Sequence, residues 1–288
     1  MAEWAERDVP DQRGRVAVVT GGSNGIGFGV ARALARKGAL VVLACEHLGR
    51  ARDAVARIDG RVEVLKLDLA SLTSVRAAAD ELIGRHERVD LLVNSAGVVG
   101  AGTTEDGFTA RFGVNHLGHY AFTGLVLEWM LRVPRARVVS LASIAHRIGR
   151  FDAADPRATG TYGGSKLASL LFTLELDRRL RGTSVSALAA HPGGVATAFF
   201  RDSTTPMHRP VAVVGKILAH GSAQGALPVL RAATDPVARG GEHYGPGGPF
   251  QLVGSPRPVP VAARARDEDA QRGLWELSER LTGVRFPV

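Results

Sequence analysis

Six short apolar runs recur along the first two thirds of the chain, and a stretch with helical spacing follows nearly every one. The runs are RVAVVT (15–20), LVVLAC (40–45), VEVLKLDL (62–69), VDLLVNSAG (89–97), ARVVSLAS (136–143) and SVSALAA (184–190). Most lack the apolar–polar alternation of a half-solvated strand, which is the pattern of a strand covered on both faces. Residues 24–37, 48–58, 71–86, 107–133 and 162–182 carry helical periodicity, and Leu72, Val75, Ala79 and Leu82 share one stripe. This β-α-β order requires parallel strands joined by right-handed crossovers. The expected fold class is α/β, a doubly wound parallel sheet of the Rossmann type with about seven strands. YGPGGPFQLVG (244–254) reads as a turn entering a short last strand. Beyond His191 the pattern loosens, with helices expected near 211–219 and at 221–234. Over 268–282, Leu274, Leu277 and Leu281 lie on one stripe closed by Gly283 as a C-terminal cap. No repeat or linker interrupts the chain, so one domain over 1–288 is expected.

Composition narrows the function classes. With 45% hydrophobic and 22% charged residues, the chain reads as soluble and globular. No apolar run is long enough to cross a bilayer, so no integral membrane segment is expected. The start, MAEWAERDVPDQRGR, lacks the apolar core of a signal peptide. One cysteine, Cys45, excludes a disulfide framework and suits a reducing cytosol, so a cytoplasmic location is expected. His191 and His208 come with no carboxylate or cysteine ligand set, and no metal site is expected. The net charge of +8 is carried by 32 arginines against four lysines, dispersed along the chain. The densest spots, RVPRAR and ARAR, are short and lack interleaved aromatics, which argues against nucleic acid as a partner. Attraction of anionic cofactors and substrates is the milder reading.

TGGSNGIG (20–27) sits where the first strand meets the first helix. A helix N-terminus offers free N–H groups and partial positive charge to an anion. Glycine allows the sharp turn and lets phosphate oxygens approach the backbone. The spacing is G-x-x-x-G-x-G through Gly21, Gly25 and Gly27, without the Gly-Lys-Ser/Thr of an NTPase loop. For the glycines alone, an ordinary strand-to-helix turn is the alternative.

The whole stretch resembles the T-G-x-x-x-G-x-G motif of the short-chain dehydrogenase/reductase superfamily, and further matches follow in order. NSAG (94–97) resembles the family's N-N-A-G, with Ser95 in place of the second Asn. Asn115 lies in FGVNHLGHY, Ser143 closes VVSLAS, Tyr162 and Lys166 form Y-x-x-x-K, and HPGGVAT (191–197) resembles P-G-x-V-x-T. WAERDVPDQRGR at the front and HYGPGGPF with LWELSERLTG at the back resemble the retinol-dehydrogenase-like branch of the actinobacterial type.

The resemblance implies hydride transfer between a nicotinamide and a carbonyl or alcohol. Tyr162 would be the general acid or base, and Ser143 would hold the substrate oxygen. A phenol of pKa about 10 needs help near neutrality. Lys166, one turn on, would supply it by lowering that pKa and would hydrogen-bond the nicotinamide ribose. Asn115 would fix a water linking Lys166 to solvent. The implied cofactor contacts are Gly21, Ser23, Asn24, Gly25, Ile26 and Gly27 at the glycine turn, and Glu46 at the adenosine ribose. Asp68 and Leu69 would flank the adenine. Asn94, Ala96, Gly97, Tyr162 and Lys166 are further implied cofactor contacts, and Pro192, Gly193 and Val195 would line the nicotinamide, with Thr197 on the carboxamide. The Gly163–Gly164 pair departs from a good helix start but would leave room against the cofactor. At the end of the second strand, Glu46 would repel a 2′-phosphate, so NAD(H) is expected over NADP(H); Arg50 or His47 would reverse that by reaching the phosphate.

Residues 198–220 fall where the family places a substrate lid, leaving 12–197 as core and 255–288 as a C-terminal extension. Phe199, Phe200, Met207, Val211 and Val214 would form an apolar wall for a lipophilic ketone, aldehyde or secondary alcohol; packing of the lid onto the body is the alternative. IAHRIGRFDAADPRATGT, between Ser143 and Tyr162, reads as a flap or as a solvated surface loop. Helices 107–133 and 162–182 often form a dimer bundle in this family, which leaves a homodimer or homotetramer open, whereas the extension would cover a surface and favour fewer subunits. The rival function is a catalytically silent cofactor-binding regulator or scaffold of the same fold, against which the intact Ser143, Tyr162 and Lys166 argue.

Overall fold

A computed structural model describes residues 3–153, 159–194 and 221–288. Strands β1 (Val16–Thr20), β2 (Leu40–Cys45), β3 (Arg61–Lys66), β4 (Leu91–Asn94), β5 (Arg137–Leu141), β6 (Ser186–Ala190), β7 (His243–Pro246) and β8 (Pro256–Pro258) form one sheet. Their order is β3-β2-β1-β4-β5-β6-β7-β8, and every pairing is parallel except that of β7 with β8. The helices are α1 (Gly25–Arg36), α2 (Leu48–Val55), α3 (Leu72–Arg85), α4 (Ala110–Phe112), α5 (Gly118–Leu131), α6 (Tyr162–Arg179), α7 (Ser222–Thr234) and α8 (Glu268–Thr282).

The unalternating strands are buried on both faces. In β1, Val16 and Val18 join the core under α3, α5, α6 and α8, while Ala17 and Val19 join the core under α1, α2 and α7. The edge strands β3 and β8 carry the exposed positions. Caps set the helix ends: Ser71 and Thr161 accept from the backbone N–H groups of Ser74 and Gly164, and Gly283 closes α8 in the left-handed region at φ 64°.

The structure differs from the sequence reading at two elements. Over the expected turn and last strand lie β7 and a 3-10 turn (Pro249–Gln251), and the antiparallel edge strand β8 follows, so the described residues hold eight strands. Pro256 and Pro258 suit an edge, where a missing N–H breaks no ladder. The helix expected from 107 begins at Ala110 and passes through a π-turn (Gly113–Leu117) before α5. The lid at 198–220, with the helix expected near 211–219, lies outside the described residues. Among the described residues no helix is long and apolar enough to cross a membrane. Among them, too, no group of three or more His, Cys, Asp or Glu side chains could hold a metal ion.

The C-terminal extension packs on α5 and α6. The Trp275 ring lies 5.3 Å from that of Tyr120 and 4.5 Å from that of Phe286, with Phe172 alongside. His116 hydrogen-bonds Ser278 at 2.7 Å. Gly124 is what admits Phe286, since a Cβ there would stand 2.5 Å from its ring.

Candidate active site

A cleft of about 900 Å³ opens beyond the carboxyl ends of β1, β2, β4 and β5, where a doubly wound sheet binds its ligands. Gly21 and Gly25 adopt φ of +65° and +58°, conformations that glycine takes without strain. A Cβ on Gly21 would meet the backbone of Ala96 at 2.9 Å, and one on Gly27 would meet the Gly21 carbonyl oxygen at 2.7 Å. The turn and the helix start therefore touch through bare backbone. Asn24 caps α1 without a side-chain hydrogen bond, and first-turn N–H groups have no partner within a helix. Gly21, Ser23, Asn24, Gly25, Ile26 and Gly27 all line the cleft. Further along it lie Glu46, Asp68, Leu69, Ala96 and Gly97, then Ser143, Tyr162, Lys166, Pro192 and Gly193.

Asn94 and Asn115 stand behind this wall. Asn94 is buried and donates through Nδ2 to Thr123 Oγ1 at 3.0 Å. Asn115, in the π-turn, accepts from Val98 N–H at 2.7 Å and donates through Nδ2 to Val98 O and Ser165 Oγ, both at 3.0 Å. It holds the loop after β4 against α6 by these direct bonds. A Cβ on Gly97 would lie 3.1 Å from Asn115 Oδ1 and 3.6 Å from Lys166 Nζ, so glycine lets the loop pass between them. Val195 and Thr197 lie outside the described residues.

Thr20 and His119 complete the support. The Thr20 hydroxyl oxygen accepts from the N–H groups of Ser95 and Ala96 at 2.9 and 3.0 Å. His119 Nδ1–H donates to Asn115 O at 3.2 Å, which leaves Nε2 to accept from the Thr20 hydroxyl at 2.9 Å. Burial pushes His119 down to about 4, so this ring is neutral. Its role was not legible in the local pattern, because the bond spans 99 residues.

Tyr162 opens α6, and Lys166 follows one turn later with Nζ 5.9 Å from the phenol ring. Ser143 ends the β5 run, accepts from Ala145 N–H at 3.2 Å and hydrogen-bonds the Tyr162 side chain. Lys166 is buried and donates to Leu141 O at 2.8 Å. Burial pushes the Tyr162 phenol up to about 12, the Ser143 hydroxyl opposing it, and pushes Lys166 down to about 8. At the phenol, burial is the larger effect, and the contact that opposes it is the Ser143 hydroxyl. At neutral pH the pair is phenol plus ammonium, which is a proton donor.

The Gly163–Gly164 pair also has another reason than the one expected. A Cβ on Gly163 would meet Ala145 O at 2.8 Å, and one on Gly164 would meet Thr159 O at 2.9 Å. The room is filled by protein. The segment after Ser143 accordingly begins as a packed 3-10 turn (Ile144–Ile148) with His146 fully buried, although Ile148 is 82% exposed.

At the far end, Glu46 shares the cleft with His47 and Arg50. Glu46 Oε1 lies 3.7 Å from His47 Nε2, and its carbonyl accepts from Lys66 Nζ at 2.6 Å. Several lining residues escaped the sequence reading, among them Ala44, Ser95, Val98, Ala110, Val114 and Ser222. Ala110 and Val114 are four apart on one helical face, a signal available in principle. Ser222 reaches the cleft only through the packing of α7 on α1, where Gly29 meets Ser222 O.

These residues fit a nicotinamide dinucleotide. The open side of Gly25, where nothing lies within 4 Å of a Cβ, and the uncapped first turn of α1 suit a pyrophosphate. The volume suits a cofactor-sized ligand.

The sequence model of the short chain dehydrogenase family matches residues 15–207. The chain is 36% identical to retinol dehydrogenase 12 of Mus musculus over 288 residues, covering 95% of this chain and 88% of that protein. It is 36% identical to retinol dehydrogenase 13 of Homo sapiens over 293 residues, covering 95% and 86%. Among solved structures, an uncharacterized protein from Mycobacterium paratuberculosis superposes with a TM-score of 0.83 at 37% identity, covering 100% of both chains. A short chain dehydrogenase from Burkholderia cenocepacia J2315 in complex with NADP superposes with a TM-score of 0.66 at 26% identity, covering 81% of this chain and 96% of that one. A family match over most of the chain, joined to relatives of this identity along nearly all of it, makes this protein a member of the short-chain dehydrogenase family in its retinol-dehydrogenase-like branch, an NAD(P)-dependent oxidoreductase.

Proposed function

We propose that the protein transfers hydride between NAD(H) and a lipophilic ketone, aldehyde or secondary alcohol, with Tyr162 as proton donor in reduction and acceptor in oxidation. The observation that carries this reading is the Ser143–Tyr162 hydrogen bond at the cleft wall, with Lys166 one turn along. When bound, the nicotinamide supplies or accepts the hydride. Tyr162 gives its proton to the substrate oxygen. Ser143 donates a hydrogen bond to the same oxygen, favouring the charge that builds there. Lys166 keeps its ammonium beside the phenol and steadies the phenolate left behind. Asn115 and Gly97 hold the loop that brings Lys166 and the cofactor together.

Two observations favour a lipophilic substrate. Val98, Ala110, Val114 and Leu141 make the described wall of the cleft apolar, and relatives are named for retinol, a lipophilic alcohol. Glu46 favours NAD(H), since its carboxylate would meet a 2′-phosphate with like charge. A kcat/KM ratio favouring NADPH would instead assign this end of the cleft to Arg50 and His47. The single buried thiol, Cys45, suits the cytoplasm, and cell fractionation tests that location.

Tyr162→Phe is the decisive test. It should lower turnover of a lipophilic carbonyl by about 10²–10⁴-fold, while NADH binding measured by fluorescence stays unchanged. Equal turnover in the variant would remove Tyr162 from the chemistry, and no turnover by either protein with NADH still bound would leave the cofactor-binding regulator. Turnover of small charged sugars or acids alone would overturn the substrate class.

A further inference from the structure

The catalytic segment after Ser143 is gripped from outside by the C-terminal extension, beyond the reach of the family match at residue 207. His146 is the hinge of this contact. Its Nδ1 lies 2.7 Å from Ser143 O, and its Nε2 lies 3.2 Å from Ala262 N. A carbonyl oxygen only accepts and a backbone N–H only donates. The ring must therefore be the neutral Nδ1–H tautomer, donating to Ser143 and accepting from Ala262. Three residues on, Gly149 O accepts from the Arg264 guanidinium. Between these struts the segment lies flat on α6: a Cβ on Gly149 would stand 2.1 Å from the Gly163 carbonyl oxygen, next to Tyr162. The extension is itself anchored, since Ala265 is fully buried and its carbonyl accepts from Gln271 of α8 at 2.8 Å.

A second contact repeats the arrangement at the nicotinamide end. His191 Nδ1 accepts from Gly193 N–H at 3.2 Å, and its Nε2–H donates to Gln251 Oε1 at 3.1 Å. Gly194 N–H donates to Leu252 O at 2.9 Å. The rings of His146 and His191 both pack on buried His243, at 5.6 and 5.1 Å.

We propose that residues 251–264 are a brace that sets the Ser143–Tyr162 geometry, with His146 as a positioning residue acting through the Ser143 main chain. Protein from beyond the family match backs the segment and presses it onto the first turn of α6. Without the brace, Ser143 and Tyr162 still face the cleft but at a looser separation, and a small misplacement of reacting groups is costly. This inference rests on the proposed roles of those two side chains.

The test uses the full chain with NADH and a lipophilic ketone. Ala262→Pro deletes the N–H that His146 accepts, at a φ of −60° that proline adopts. Arg264→Ala deletes the other strut from an exposed side chain. Each should lower kcat by about 10-fold or more, with cofactor Kd unchanged. His146→Asn, which keeps a donor towards Ser143 O, should retain more kcat than His146→Phe. The Ala262→Pro and His146→Phe losses should not add, because both break one contact. Parental kcat in both Ala262→Pro and Arg264→Ala overturns the brace, and so does a loss matched by weakened cofactor binding. If Ala262→Pro fails to fold, Arg264→Ala and the His146 pair decide alone. Tyr162→Phe is run beside them: undiminished turnover there sinks the proposed function, whereas Tyr162-dependent turnover indifferent to the extension sinks only the brace.

Discussion

At the scale of single residues, burial sets the chemistry. Sequence spacing puts Tyr162 and Lys166 on one helical face, and that face is where the structure has them. The spacing carries no information on how dry the site is. Burial pushes Lys166 down to about 8 and the phenol up to about 12. The ammonium is therefore present below pH 8 and lost above it, while the phenol keeps its proton throughout. The rate of carbonyl reduction is expected to fall as pH rises through about 8, and a Lys166→Met variant should be slow and lack that limb. A wild-type profile flat across this range would remove Lys166 from the mechanism. Asn94 and Asn115 make a related point: both were legible as motif residues, but their work is to tie Thr123, Val98 and Ser165 together behind the cleft wall.

At the scale of elements, local rules were readable because their causes lie within a few residues. The β1–α1 turn, the Gly283 cap and the span of α8 all follow from nearest neighbours. Gly27→Ala tests the turn: its Cβ would press on the Gly21 carbonyl oxygen at 2.7 Å, backbone that cannot rotate away. It should destabilise the fold by about 1–3 kcal/mol and weaken NADH binding, read by thermal melting and fluorescence titration. Asp267 caps α8 by accepting from Asp269 and Ala270. Asp267→Ala should cost about 1 kcal/mol, seen in urea unfolding. The π-turn around Asn115 and the antiparallel strand β8 were not legible. Each depends on what the segment packs against, and neither changes the local hydrophobic pattern.

At the scale of the whole molecule, the extension covers the outer faces of α5 and α6. Trp275, Phe286, Tyr120 and Phe172 form one aromatic cluster there, and Arg179 stacks on Trp275 at 4.4 Å while pairing with buried Glu175. With part of those faces covered within the chain, a dimer through them would have less apolar surface to bury, and light scattering is expected to report no α5–α6 dimer. Trp275→Ala should cost roughly 3–5 kcal/mol, and an increase in subunit number in that variant would confirm that α8 blocks association. What the sequence determined by itself was the doubly wound sheet, the glycine cradle and the pairing of Tyr162 with Lys166, because burial on two faces, positive φ and a one-turn spacing are written in adjacent residues. Only the tertiary structure decided the sign of the Tyr162 shift, the packing reason for Gly163 and Gly164, and the grip of Ala262 on His146. Those depend on desolvation and on hydrogen bonds between residues far apart in the chain, such as the 116 that separate His146 from Ala262, and no local pattern encodes them.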